Sequence, residues 1–598
     1  MMTSLPTPTV VVAKYTAVTT TSPVVSSWPN MFPMTKGSLF KLPRQSNGKM
    51  ISCNASSDKE NDQKPMIESS FDRRDMLLGL GGLVGVASLT SARSVGAAPL
   101  AAPDISKCGN NPLSGFTPGE NTPQGDDCCP PDSPQILDFE FPKEQPLRVR
   151  PAAHLMSPSY IAKFQEAVKR MKELPKDDPR SFFQQAQVHC AYCNGSYTQS
   201  SSGFPDVEIQ IHNSWIFYPF HRWYLYFYER ILGSLIDDPT FGLPFWNWDT
   251  PAGMRIPSYF NDPNSSLFDS KRNQDHLNAV IDLGYHASNT DTPEQDTVSN
   301  NLAIMYRQMV TNATDPISFF GGEYRAGTEP IDGGGSIEQI PHIPIHVWVG
   351  DPRETNGEDM GNLYSSGRDP LFYCHHCNVD RMWSLWKMLD GKNVDITDTD
   401  WLNTSFVFYD ENKNLVRVYV KDCLLTNKLG YDYQKVDVPW VSTKPVPRAP
   451  KSGIAKKMTG KIKNTNDTSF PIKLDKIVKL LVSRPKKSRS KKEKKEHQEL
   501  LVLYGIKYDS QIYVKFDVFV NDEDDNSSSP SQTEYAGSFA QLPHKHKGKS
   551  RSKTSFRAGM TELLDELQAD DDDSVLVTLI PRTGCDDVTI DGIKIIYV

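Results

Sequence analysis

Seven histidines in two groups constrain this chain more than any other feature. His189, His212 and His221 come early; His342, His346 and the pair His375–His376 come later. The chain has 13 histidines in 598 residues, so seven in two local contexts point away from scatter. Neutral imidazole suits copper, zinc and iron, and trios on separate stretches predict two metal ions held side by side.

Spacing sharpens this expectation. His342 and His346 are four apart, so on a helix both rings project from one face, one turn apart, and can hold one ion. Thirty residues on, the run Phe372 to Trp383 carries His375–His376 and then Asp380, one helical turn past His376. Asp380 is placed to accept a hydrogen bond from a ligand imidazole or to orient a neighbouring side chain. HxxxH alone is common by chance; HxxxH followed by His-His-x3-Asp-Arg is specific. In the first half, His212 and His221 flank Asn213–Ser214–Trp215 and the aromatic run Phe217–Tyr218–Pro219–Phe220. After Pro219, the residues Phe220, Trp223, Phe227, Ile231 and Leu235 recur at three or four positions, which predicts a helix with one apolar face and His221 in its first turn.

At 598 residues the chain exceeds one ordinary core, and domains of about 100 to 200 residues predict two or three folded units. A formal charge of −8 argues against nucleic acid as the main partner, which calls for a basic surface stripe. The longest apolar stretch, Met76 to Leu89, is rich in glycine and short of the roughly 20 residues a spanning helix needs, so no transmembrane segment is expected. Residues 1 to 57 contain no Asp or Glu, five Lys or Arg and many Ser, Thr and Pro, the composition of an organelle transit peptide. Arg73–Arg74 precede the apolar run, and Val95–Gly96–Ala97 offers small residues for processing, as in a twin-arginine export signal. Two signals in series predict delivery through the chloroplast to the thylakoid lumen, with Ala98 first in the mature chain. Cysteines crowd the start of that chain at Cys108, Cys128, Cys129, Cys190 and Cys193. Adjacent Cys128 and Cys129 cannot easily close on each other, so each bridges a distant partner, with connectivity left open by spacing.

The expected fold is a mainly α catalytic domain over residues 98–437, with a four-helix bundle core and long loops, holding the metals between helices. Ser157–Pro158 starts one helix, with Ile161, Phe164, Met171 and Leu174 facing inward. Residues 1–97 are the address. Residues 438–456 are a linker punctuated by Pro439, Pro445, Pro447 and Pro450. Residues 457–598, with β-branched runs at Gln511 to Val520 and Val588 to Val598, form a C-terminal β-rich sandwich or barrel. Arg484 to Lys495, with eight Lys or Arg, and the acidic Asp570 to Asp573 read as a solvated loop and turn.

The histidine stretches resemble the plant polyphenol oxidases, of the tyrosinase and catechol oxidase family with a coupled binuclear copper centre. Val188–His189–Cys190–Ala191–Tyr192–Cys193, Phe220–His221–Arg222–Trp223 and Phe372 to Trp383 carry the resemblance. Asp400–Trp401–Leu402, Tyr431–Asp432–Tyr433 and Lys515–Phe516–Asp517–Val518 match further signatures, so it covers nearly the whole chain, targeting region included. The resemblance implies two copper ions as cofactor: His189, His212 and His221 on the first, His342, His346 and His376 on the second, His375 behind them. It also implies a thioether between Cys193 and His212, disulfides Cys108–Cys129 and Cys128–Cys190, and a C-terminal domain that covers the site in a latent precursor.

Two copper ions can each give one electron to dioxygen, and paired catalytic metals need positions open to substrate. A catechol gives up two electrons and two protons to become an o-quinone, and a second catechol completes reduction of oxygen to water. Glu338, four before His342, matches the family glutamate that holds a water near the coppers and helps deprotonate a phenol. In members that hydroxylate monophenols readily, the residue after the first histidine of the second trio is often Asn, which supports that water. Here it is Ile343, which cannot. Val347 is equally apolar, and Leu363 stands where the family often has a Phe gate. The expected function is therefore oxidation of o-diphenols, with small phenols and dioxygen as partners. Monophenol hydroxylation and a non-catalytic dioxygen carrier are the alternatives.

Overall fold

The computed structural model describes residues 97–109 and 128–598, apart from 200, 202, 289–291, 390, 392, 446–449, 524–528 and 545–549. The two targeting signals expected before Ala98 lie outside the described residues. Among the described residues, no helix is long and apolar enough to cross a membrane.

Helix α1 (Pro158–Glu173) opens on its proline, and the Ser157 hydroxyl accepts the Tyr160 N–H at 3.2 Å; such a cap satisfies a donor the helix leaves unpaired. Phe164, Ala167, Val168 and Met171 are buried, while Ile161 and Leu174 are half-buried. Ser181 caps α2 (Phe182–Cys193) in the same way. Helix α3 (Phe217–Leu235) begins two residues before Pro219 and is buried on nearly all sides, not on the single face its apolar spacing predicts. The reason is its central position. Phe220 packs on Tyr192 of α2, Tyr218 on Phe319 and Tyr228 on Tyr373, from elements on different sides. A helix apolar all round is a buried one.

Helix α4 (Glu294–Tyr306) runs into a π-helical turn at Arg307–Thr311, and α5 (Pro316–Phe320) is one short turn. A kinked segment, Glu338–His342, in which Ile340 is extended (φ −141°, ψ 124°), leads into α6 (Ile343–Val349), and α7 (Pro370–Leu389) follows. The start of α7 is held by Asp369, whose carboxylate accepts Leu371 N–H at 2.7 Å and two Arg272 N–H groups at 2.8 and 2.5 Å. After the short α8 (Thr399–Asn403), small sheets border the helices. Strand β1 (Ile136–Asp138) lies parallel to β4 (Leu415–Tyr419), which pairs antiparallel with β3 (Ser405–Tyr409); β2 (Arg148–Arg150) lies parallel to β5 (Tyr431–Tyr433). The expected linker is not wholly free: Trp440 is buried and donates to Asp249 Oδ2 at 2.9 Å.

Helix α9 (Ile454–Met458) opens the C-terminal part, which is β-rich and open-edged, so the sandwich alternative holds and a closed barrel does not. Its strands are β6 (Ile472–Lys473), β7 (Val478–Ser483), β8 (Glu499–Asp509), β9 (Val514–Val520), β10 (Tyr535–Gln541), β11 (Arg551–Gly559), β12 (Ser574–Thr583), β13 (Thr589–Ile590) and β14 (Gly592–Tyr597). One sheet runs β10-β9-β12-β7. In the other, β8 pairs with β11 on one side and with β13 and β14 on the other, and β6 lies beyond β13. Every residue of β9 is buried because both faces are used. Phe516 and Val518 enter the sandwich core, while Phe519, in phase with Lys515 and Asp517, joins the core of the helical part.

The basic and acidic runs are not simply solvated, as their composition implies. Arg484 is buried against Glu499 at 2.9 Å, and its guanidinium donates to the carbonyls of Ala569, Asp570 and Asp572. Lys487 pairs with Asp573 at 2.8 Å and Lys494 with Asp570 at 2.9 Å, so the two runs face each other. Ser490 and Glu493 cap α10 (Lys491–Glu496) reciprocally within the basic run.

Candidate metal centre

Five of the histidines are oriented through Nδ1. His189 on α2 bonds the Leu363 carbonyl at 2.8 Å, His221 on α3 bonds Phe217 O at 2.8 Å, His342 at the end of the kinked segment before α6 bonds Glu338 O at 3.1 Å, and His346 on α6 bonds Met360 O at 2.9 Å. His212 lies on the loop before α3, and its Nδ1 meets Gln210 Oε1 at 3.2 Å. Carbonyl oxygens only accept, so Nδ1 carries the proton and Nε2 the lone pair. The Nε2 atoms of His189, His212, His221 and His342 are buried with no hydrogen-bond partner. An unsatisfied buried acceptor costs about 1–3 kcal/mol, so four of them in one place are anomalous unless a cation takes the lone pairs.

The grouping agrees. The ligating atoms of His189, His212 and His221 lie within 4.8 Å of one another, and so do those of His342, His346, His375 and His376. His346 Nε2 stands 3.3 Å from His376 Nε2, an arrangement that an ion between the lone pairs explains. The two groups face each other: the His221 and His376 rings stack at 4.2 Å, and His212 and His342 at 5.7 Å. His375 sits inside the second group, stacked on His342 at 5.4 Å and tilted against Trp248 at 6.0 Å, whereas its neighbour His376 turns toward the first trio. Burial pushes every one of these imidazoles down, His189 to about 3 and His346 to about 4. They are held neutral, the form that ligates metal. Uncharged nitrogen donors in two tight groups fit a pair of copper ions.

Asp380 accepts no bond from a ligand ring. It binds Arg222 Nε at 2.5 Å, Arg150 Nη1 at 3.2 Å, the Tyr431 hydroxyl at 2.6 Å and the Tyr433 hydroxyl. Arg222 follows His221 on α3 and Asp380 follows His376 on α7, so this cluster ties together the two helices that bear facing ligands. Burial alone lifts the Asp380 carboxyl, but Arg222 and Arg150 hold it below its usual range. Arg150 and its buried partner Glu229, at 2.9 Å, were not legible as members of this cluster; the i,i+2 tyrosines of Tyr431–Asp432–Tyr433 were its one sequence trace.

Glu338 is fully buried; Oε1 accepts the Asn213 N–H at 2.5 Å and Oε2 has no partner. Burial, outweighing the N–H groups of Asn213 and Gly335, pushes its carboxyl up to about 8. Ile343 and Leu363 are buried and Val347 half-buried. Leu363 contributes main-chain atoms: its carbonyl holds His189 and its N–H donates to Pro543 O at 3.3 Å. Cys193 ends α2 with a buried thiol outside any disulfide, while Cys108 joins Cys129 and Cys128 joins Cys190, beside His189.

The C-terminal part reaches this centre through the end of β10. Asn213 and Gln541 exchange amide hydrogen bonds at 3.0 and 2.6 Å, Ala540 N–H donates to Gln339 Oε1 at 3.1 Å, and Leu542 is buried in the catalytic core. Gln210, Asn213, Gln339 and Gln541 escaped the sequence reading because isolated amides carry no periodic signal.

Residues 179–389 match the common central domain of tyrosinase, 395–446 the polyphenol oxidase middle domain, and 470–597 the chloroplastic polyphenol oxidase C-terminal domain. The chain is 52% identical over 573 residues to a chloroplastic polyphenol oxidase of Malus domestica, covering 93% of this chain and 94% of that protein. It is 50% identical over 586 residues to (+)-larreatricin hydroxylase, chloroplastic, of Larrea tridentata, covering 95% and 97%. The solved structure of latent apple tyrosinase superposes with a TM-score of 0.73 at 52% identity, covering 78% of this chain and 100% of that one. With its paired histidine groups between α2, α3, α6 and α7 and its sandwich laid on them, this chain belongs to the plant polyphenol oxidases of the tyrosinase family.

Proposed function

We propose that the protein is a copper-dependent oxidase of o-diphenols, converting catechols to o-quinones while dioxygen is reduced to water. The observation that carries this reading is the facing pair of buried imidazole groups with unpartnered Nε2 atoms. His189, His212 and His221 hold one copper and His342, His346 and His376 the other. When bound, the copper pair supplies electrons for dioxygen and a Lewis acid for a phenol oxygen. The chain's own work is to keep those rings neutral and aimed. Glu338 lies beside the centre as the acceptor for a phenol proton: buried it is neutral, and admitting water removes the burial penalty and lets it ionise. Ile343, Val347 and Leu363 offer no side-chain hydrogen bond to a water there, which supports diphenol oxidation over hydroxylation.

The C-terminal domain, seated on Asn213, Gln339 and Leu363, supports a latent form in which substrate is kept from the metals. Relatives named chloroplastic support delivery to the plastid, and Arg73–Arg74 with the following apolar run support onward export to the thylakoid lumen. Hydroxylation of monophenols remains the second reading, favoured by the name of the Larrea tridentata relative. A dioxygen carrier is set aside, because the relatives are named as oxidases and hydroxylases.

Oxygen uptake by the copper-loaded chain, before and after cleavage in the 446–449 segment, on a catechol and its matching monophenol tests all parts. The expected result is rapid catechol turnover only after cleavage, with slow or lagging monophenol turnover. Rapid monophenol turnover without a lag would overturn the diphenol preference; equal rates before and after cleavage would overturn latency.

A further inference from the structure

His212 is the one nitrogen donor of its trio that no helix carries. His189 and His221 sit on α2 and α3, where backbone geometry aims the ring and main-chain carbonyls take the Nδ1 proton. His342 and His346 also use main-chain carbonyls. His212 has the side chain of Gln210 instead. Gln210 is 4% exposed and stands between the buried Ile209 and Ile211. Its Nε2 donates to the Cys193 carbonyl at 2.9 Å, and its Oε1 accepts from both the backbone N–H and Nδ1 of His212, at 3.0 and 3.2 Å.

This geometry admits one orientation. The Cys193 carbonyl can only accept, so Nε2 must face it and Oε1 must face His212. Oε1 then requires a proton on Nδ1, which leaves the lone pair on Nε2 and directs it at the metal. The same amide fastens the end of α2, where Cys193 lies, to the loop bearing His212, so it holds the two members of the implied thioether in register before any bond forms.

We propose that Gln210 is a positioning residue of the first metal trio: it sets the tautomer and ring direction of His212 and holds Cys193 beside it, where main-chain carbonyls set the tautomers of His189 and His221. The proposal rests on the copper reading above. Forming the thioether breaks the Cys193 S–H bond and a ring C–H bond of His212 and makes one S–C bond. The two electrons and two protons pass to dioxygen, the oxidant of the family reaction, giving hydrogen peroxide.

The test uses the full chain, its Gln210→Leu variant, which removes both hydrogen bonds to His212, and its Gln210→Glu variant, which keeps the acceptor oxygens and loses the donor to Cys193. Each is titrated with copper ions alone. Bound copper per chain, circular dichroism and intact mass before and after exposure to air are read. The native chain takes two coppers and loses the mass of two hydrogen atoms. Gln210→Leu, with unchanged circular dichroism, is expected to bind the first copper about 10- to 100-fold more weakly, the usual cost of deleting a group that orients a metal ligand. It also gains the thioether more slowly. Gln210→Glu, which keeps an acceptor for His212 but loses the tie to Cys193, is expected to bind the first copper more tightly than Gln210→Leu and to gain the thioether more slowly than the native chain. Native affinity and native mass loss in Gln210→Leu overturn the proposal. Should Gln210→Leu fail to fold, Gln210→Glu decides: mass loss at the native rate there, with the tie to the Cys193 carbonyl gone, overturns it. A native chain that takes up no copper pair defeats the copper reading itself, a result distinct from either.

Discussion

At the scale of single residues, the centre depends on charge kept out of a dry pocket. The imidazoles are neutral because burial disfavours imidazolium, and Glu338 is neutral for the same reason. Glu338→Gln therefore replaces one neutral group by another in the covered state. The thermal midpoint of the full chain is expected to stay unchanged, while catechol turnover by the cleaved chain falls by about 10²–10⁴-fold, the usual contribution of a positioned acid or base. Differential scanning calorimetry and oxygen uptake on the same preparations check both halves. Asp380 differs in kind, since it is a buried carboxylate between two guanidiniums. Asp380→Ala strands Arg222, leaves Arg150 with Glu229 alone, and is expected to cost about 3–5 kcal/mol in denaturant unfolding. It also loosens the tie between the helices bearing His221 and His376. Histidine identity and the Asp380 spacing were legible in the sequence; the partners of Asp380 were not, because they come from α3 and from strands β2 and β5, all distant from it along the chain.

At the scale of elements, local spacing succeeded where one neighbour sets the pattern. The Ser157–Pro158 start, the His342/His346 turn and the strands around Gln511–Val520 and Val588–Val598 form as expected, because caps and period-two alternation are short-range signals. It failed on α3, whose aromatic sequence meets neighbours on every side, and on the basic run, which is drawn against Asp570 to Asp573 by pairing across the chain. Strand β9 shows how alternation carries charge inward. Lys515 and Asp517 point to one face and pair at 2.6 Å, and Arg582 joins Asp517 at 2.5 Å. Burial lifts the Asp517 carboxyl, but Lys515 and Arg582 prevail and hold it at about 2. Asp517→Ala is expected to cost about 3–5 kcal/mol, chiefly by leaving the buried Lys515 unpaired, with the half-buried Arg582 beside it. Faster proteolysis of the C-terminal part than of the catalytic part is the readout.

At the scale of the whole molecule, the sandwich is held on the catalytic helices by more than the Asn213–Gln541 pair. Helix α11 (Thr561–Glu566) brings Glu562 to Lys444 at 2.7 Å, the Tyr306 hydroxyl at 2.8 Å and the Thr311 hydroxyl at 2.9 Å, and Glu566 to Arg307 at 2.6 Å. Burial works against ionisation of Glu562, yet Lys444, Tyr306 and Thr311 outweigh it and hold the carboxyl below its ordinary value of 4.5. A depressed folded-state value means the contribution is complete above the ordinary value and is lost as pH falls through the lower one. Docking is therefore expected to weaken in acid below 4.5, and Glu562→Gln to flatten that dependence. Susceptibility to a protease active across that range, followed against pH for both chains, reports it.

The amino-acid order alone carried the donor type, the division into helical and β-rich parts and the residues able to hold two ions, since ligand chemistry and periodicity are local properties. Folding over long separations chose which oxygen takes each Nδ1 proton, which of His375 and His376 turns toward the first trio, and which amide of the cover meets Asn213. His189 and Leu363 are 174 residues apart and Asn213 and Gln541 are 328 apart. No local pattern encodes such pairings, because they arise only when separate segments are packed into one core and each buried polar atom must find a partner there.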